Sequence, residues 1–414
     1  MSKKLVALVL AVVFAVGMLS AAMAEGEVKT LKMLWFSDGI EGQVMQELIK
    51  EYEAEHPDIH IELMEVAYAD YDNKIRTLLA AGEQPALART TNVTSYLDYL
   101  VDMNEYMPEG FTDRFADLTG KVWDGRLVAV PMEFAVVGCI YNKTAFEKAG
   151  VAVPQSPDEV WTWEEFDAAL KQVIASGACK YGLVVDKTTY RFCSFLYEAG
   201  GSLLTEDLSA SALDSDATRR AVQYFYDLHK DGVIPTSVWL GAENPNNLFR
   251  SGQVACHIGG SWLLTNYDKE ISDFEWGVTY LPKDVYRATI SGSKHMAVYK
   301  NTGLEKEACE FVEWFTRYEN FSRWCEPNFF INGVIAPEGT EATESKYAAD
   351  FAVFSDSVAT NASLSGEWNL SAVPGLISTD MVEKLSAVLS DQMSVEDFVT
   401  EMDDLINETI ADLQ

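Results

Sequence analysis

The chain has 414 residues, 48% of them hydrophobic, and a formal net charge of −33. So acidic a field repels nucleic acid and anionic lipid surfaces, and the hydrophobic content excludes a disordered chain. The length suffices for two or more lobes with sizeable cores.

The first residues form an export signal. Lys3 and Lys4 precede an apolar run, Leu5 to Leu19, and Ala22-Met23-Ala24 supplies a small-residue cleavage site. The run is short for a membrane span. With no cysteine near Ala24, a lipid anchor is not indicated. These features place the protein in a periplasm or outside the cell.

In chain order, LKMLWF (Leu31 to Phe36) predicts a strand that Ser37-Asp38-Gly39 ends. From Glu41 to Glu55 the period is helical, with Val44, Met45, Leu48, Ile49 and Tyr52 on one face. His56-Pro57-Asp58 stops that helix, IHIELMEV returns as a strand, and Tyr71 to Ala81 is a helix closed by Gly82. Further on, GRLVAVPM approaches a buried strand at Val136 to Tyr141, and a short helix covers Thr144 to Lys148. Trp161 to Ser176 is a helix opened by Thr162 with Glu165 three residues on, a capping box. KYGLVV and Val254 to Ile258 read as strands, and Asp216 to His229, Lys306 to Tyr318 and Val395 to Leu413 as amphipathic helices. Alternating strands and helices without a flexible linker indicate α/β lobes that are interwoven.

Six cysteines, at 139, 179, 193, 256, 309 and 325, show no CxxC and no zinc spacing. Cys179–Cys193 or Cys309–Cys325 could bridge in an exported protein, but positions inside apolar runs favour free thiols.

Catalytic signatures are weak. Ser291-Gly292-Ser293-Lys294 is an S-x-x-K, yet no K-T-G follows and its flanks read as strands. His56 and His60 stand four apart, but Pro57 breaks the helix that a metal pair would need. We therefore expect no enzyme, no metal and no cofactor.

Six blocks in order carry a family resemblance: LWFSDGIEGQVMQELIKEYEAEHPDIHIEL, DGRLVAVPMEFAVVGCIYNKTAFEKAGV, FRSGQVACHIGGSWLLTNYD, FEWGVTYLPK, SGSKHMAVYKNT and MSVEDFVTEMDDLINETI. Together they resemble the extracellular solute-binding proteins of ATP-driven sugar importers, the group that includes maltose-binding protein. The resemblance implies an α/β, two-lobed periplasmic-binding-protein fold with a hinge and an interlobe ligand cleft. It implies a first lobe of residues 25–134 plus 293–340 and a second of 135–292 plus 341–414. The implied partners are a carbohydrate ligand and the membrane permease of an ABC transporter, served by a monomer.

A sugar needs aromatic rings for its C–H faces and acids or amides for its hydroxyls. Trp262 fits best, because Gly259-Gly260-Ser261 ends a strand and lets the backbone swing the ring outward. Ser261 offers a hydroxyl or a helix cap. Ligand-facing positions in the resembled family put Glu133, Tyr190, Trp368, Ser291 and Gly292 beside it. The turn Trp35, Ser37, Asp38 and Glu41, the loop Thr90-Thr91-Asn92, and Trp239 complete the candidates. A polyamine or a glycerol-phosphate-type polyol is the alternative ligand; Arg191, Arg287 or Lys294 in the cleft would favour phosphate. A secreted carbohydrate hydrolase is the third reading.

Overall fold

The computed structural model describes residues 28–413, apart from Asp38, Asn92, Asp117, Thr119, Gly120, Phe134, Ser293, 341–346 and 360–365. The export signal, Asp38 and Asn92 thus lie outside the described residues.

Twelve strands are described: β1 (Lys29–Trp35), β2 (Ile59–Glu65), β3 (Leu87–Thr90), β4 (Val122–Trp123), β5 (Arg126–Leu127), β6 (Val130–Pro131), β7 (Ala135–Asn142), β8 (Tyr181–Val185), β9 (Val254–Gly260), β10 (Trp276–Thr279), β11 (Ser291–Gly292) and β12 (His295–Val298). One sheet has the order β2-β1-β3-β12-β6, a second β10-β7-β9-β8, and β11 pairs with β7. β4 and β5 form a separate hairpin.

The first sheet is covered on both faces, as its parallel β1–β2 and β1–β3 pairs require. Leu31, Met33 and Trp35 of β1 enter one core. Leu34 and the adjoining Phe36 enter a smaller core on the opposite face, the alternation that the pleat imposes. The helix Glu41–Glu55 buries Met45, Leu48, Ile49 and Tyr52, the face its periodicity marks. The helix Tyr68–Ala81 starts a turn before its apolar pattern and ends at Gly82, whose φ of 71° suits glycine.

The second sheet is cored by one large cluster that includes Val137, Ile140, Leu183, Val184 and Ile258. The helix Trp163–Ala175 begins behind Thr162, with both halves of the capping box present. The apolar pattern from Lys306 to Tyr318 resolves into two helices, Glu305–Phe315 and Tyr318–Asn328. All six cysteines are buried and free, so neither pair bridges.

The chain passes between the sheets three times. β6 runs into β7, β11 returns to β12, and the chain crosses again after the helix Tyr318–Asn328. Trp324 of that helix belongs to the first lobe, whereas Phe354 of the helix Ala348–Ala359 belongs to the second. Two crossings lie side by side, because Met132 N–H donates to the Lys294 carbonyl at 2.8 Å. The two crossings are therefore joined by a backbone hydrogen bond next to the paired ends of β6 and β12.

Candidate functional site

At the crossings, Trp262 is half-buried and packs against the main cores of both lobes. It belongs to a 3₁₀ turn, Ser261–Leu263, that follows β9 directly. The glycines do not act by bending the chain. Gly260 is extended, with φ −106° and ψ 159°. A Cβ placed there would lie 2.1 Å from the indole, so Gly260 is required by space. The ring folds back over the end of its own strand, and the expected outward swing is corrected. Ser261 is buried too, and its hydroxyl accepts from Val136 N–H at 3.4 Å, tying the turn to the hinge strand.

Two cations stand over the indole: the Arg191 guanidinium at 4.8 Å and Lys294 Nζ at 5.2 Å from the ring centre. Cations are drawn to the face of an aromatic ring. Arg191 is also 5.6 Å from the ring of Tyr190, which meets Trp368 edge-on at 5.1 Å and 84°. Trp262, Arg191, Tyr190 and Trp368 thus form one continuous line. Gly292 is part of it, because a Cβ there would come within 2.5 Å of the Tyr190 hydroxyl. Trp368 is fixed through its Nε1, which donates to the Tyr197 hydroxyl at 2.8 Å.

Glu133 lies in the first crossing and is wholly buried. Its Oε1 is 3.4 Å from both Arg89 Nη2 and Lys294 Nζ, while Oε2 has no hydrogen-bond partner. Glu41, at the start of its helix, reaches the same Arg89 at 3.6 Å. Arg89 donates to the Phe36 carbonyl at 2.6 Å and stacks on Trp35 at 5.1 Å.

Several expected positions have partners within the protein. Trp35 is fully buried, meets Trp324 edge-on and gives its Nε1–H to Ser37, so it walls the Arg89 compartment. Ser37 accepts that bond and donates its own O–H to Glu65 Oε1 at 2.5 Å. Glu41 is spent on Arg89. Trp239 is a core residue, its Nε1 bonded to the Val185 carbonyl at 3.1 Å. Thr90 is buried in β3, and Thr91 is exposed. Ser291 lies in β11, an extended strand that cannot open the helix an S-x-x-K nucleophile needs. Arg287 pairs with Asp356.

Behind Arg191 runs a polar chain that the sequence reading passed over. Asp186 contacts Arg191 at 3.2 Å and His257 Nε2 at 2.9 Å, and His257 Nδ1 meets the Tyr267 hydroxyl at 2.6 Å. Burial works against ionisation of Asp186, yet His257 and Arg191 outweigh it and hold the carboxyl at about 2. Arg89 was passed over as well; a charged residue inside the apolar run Leu87-Ala88-Arg89 was the available signal. No cluster of three potential metal ligands occurs among the described residues.

Known proteins resemble the chain along most of its length. A lactose-binding protein of Rhizobium radiobacter is 25% identical over 290 residues, 65% of this chain and 66% of that protein. A binding protein of Brucella abortus (strain 2308) is 25% identical over 329 residues, covering 76% of this chain and 77% of its own length. The solved ABC substrate-binding protein from Listeria monocytogenes in complex with cycloalternan superposes with a TM-score of 0.80 at 23% identity. That match covers 92% of this chain and 99% of the Listeria chain, and it shows the same two-lobed fold. The family described as bacterial extracellular solute-binding protein matches residues 47–355, and the chain belongs to it.

Proposed function

We propose that the protein captures a sugar or oligosaccharide between its lobes and presents it to the permease of an ABC transporter. Family membership makes the chain a receptor, not an enzyme. The observation that carries the carbohydrate reading is the position of Trp262, a half-buried indole touching the main cores of both lobes. Around it stand Tyr190 and Trp368 as further rings, and Glu133 Oε2 and Arg191 Nε as an acceptor and a donor without partners. Rings for C–H faces beside hydrogen-bonding groups for hydroxyls suit a sugar. The lactose-binding and cycloalternan-bound relatives support that class.

In this reading residues 25–134 with 293–340 and residues 135–292 with 341–414 move as two bodies. Ligand contact with both shifts an open–closed equilibrium. In this reading the protein acts as a monomer after export and cleavage near Ala24. Among the described residues, no helix is long and apolar enough to cross a membrane.

Arg191 and Lys294 beside Trp262 speak against a polyamine, and a glycerol-phosphate-type polyol is the second reading, although each cation already has a carboxylate partner. A thermal-shift screen of sugars, polyols and polyamines tests the proposal, since a ligand of the native state raises the melting temperature. A shift with sugars supports it. A panel in which only polyamines or phosphorylated polyols shift the melt overturns it.

A further inference from the structure

Arg191 is 5% exposed, stacks over Trp262, and leaves Nε without a hydrogen-bond partner. A buried donor without an acceptor is unfavourable, so a ligand oxygen is the natural occupant of that direction. Either a neutral hydroxyl or an anionic group could supply the oxygen, and local charge decides between them.

Asp186 touches Arg191 at 3.2 Å, and Glu133 touches Lys294 at 3.4 Å. Each cation over the indole therefore already has its carboxylate. Asp186 is itself bonded to His257, which fixes it in place. An anion entering here would shed its hydration without meeting uncompensated positive charge, and it would approach Asp186 at short range. A hydroxyl group pays no such penalty.

We infer that Asp186 is a specificity-determining residue: by cancelling the charge of Arg191, it makes the Trp262 platform accept neutral polyhydroxy ligands and refuse their anionic counterparts. This rests on the carbohydrate reading and narrows it.

The test uses the purified protein and matched pairs of probes. Neutral gluco-, galacto-, xylo- and arabino-oligosaccharides are compared with their uronic-acid counterparts, and glycerol with sn-glycerol 3-phosphate, by thermal shift and then calorimetry. At least one neutral oligosaccharide should bind, with its acidic counterpart at least about ten-fold weaker. In Asp186→Asn that preference should shrink by about ten-fold or more, since one charge beside Arg191 is removed. Asp186→Glu should keep it. A purely structural role would lower both affinities together and leave their ratio unchanged. Equal or tighter binding of a uronic-acid probe by the wild type overturns the inference while leaving the carbohydrate reading intact, whereas binding of sn-glycerol 3-phosphate alone overturns both. A folded Asp186→Asn protein with the full preference also overturns it. If no probe of either kind binds, both readings fail. Should Asp186→Asn not fold, the wild-type ratio and Asp186→Glu decide.

Discussion

Glu133 and Lys294 stand 3.4 Å apart, each on one of the two adjacent segments that join the lobes. The pair is buried, with side-chain exposures of 0% and 12%, and Arg89 shares the same carboxylate oxygen. In the two-body reading, closure turns about segments that this ion pair and the Met132–Lys294 backbone bond join. Lys294 thus links the paired crossings to Trp262, over whose ring its ammonium stands.

Glu133→Gln should destabilise the protein by about 2–4 kcal/mol. Removing one partner of a buried pair leaves the others uncompensated, while an amide can still accept from Arg89. Urea unfolding measures the change. A shift below about 0.5 kcal/mol would mean that the pair does not support the hinge.

Trp262→Ala should weaken binding of the best neutral oligosaccharide by about 1–3 kcal/mol, by analogy with aromatic stacking on nucleobases. Gly260→Ala should act the same way without touching the ring's chemistry, because the added methyl takes the space in which the indole lies. Calorimetry reads the affinity, and tryptophan emission reports the displaced ring. Unchanged affinity in both variants would remove Trp262 from the site.

Trp239→Ala should cost stability, not specificity. Its ring is fully buried and edge-on to Phe225 at 5.0 Å, so truncation leaves a large cavity worth about 3–5 kcal/mol. Affinity of the folded fraction should remain within two-fold or so of wild type. A selective loss of binding at unchanged stability would return Trp239 to the cleft.

His229 makes stability depend on pH. Burial depresses its pKa to about 4, against a bond from Nδ1 to the Phe225 carbonyl, while the unfolded chain titrates near 6.5. The unfolded state takes up the proton first as pH falls. The contribution is therefore whole above about 6.5 and is lost progressively down to about 4, by roughly 3 kcal/mol in all. Relative to His229→Gln, the wild type should lose about 2–3 kcal/mol between pH 7.5 and 4.5 in urea unfolding. Parallel curves for the two proteins would contradict the assignment.

Much of the architecture was legible in the sequence because it is written locally. Periodicity marked the inner face of Glu41–Glu55, and Thr162 with Glu165 marked the start of Trp163–Ala175. The alternation of strands and helices gave the α/β class, and six ordered blocks gave the family. Tertiary structure alone decided which tryptophans are closed off and which stays half-buried between the cores. Trp35 and Trp262 both lie near strand ends, yet Trp35 is closed over by Trp324 from a distant helix, and Trp262 sits where two cores meet. The charge partners were equally hidden. Asp186 and His257 are 71 residues apart and Arg89 and Glu133 are 44, so no local pattern can pair them. The sequence determines which faces are apolar and where elements begin. Register between strands, and the way three chain crossings bring the two lobes together, determine which buried charges meet and which ring stays half-exposed between the cores.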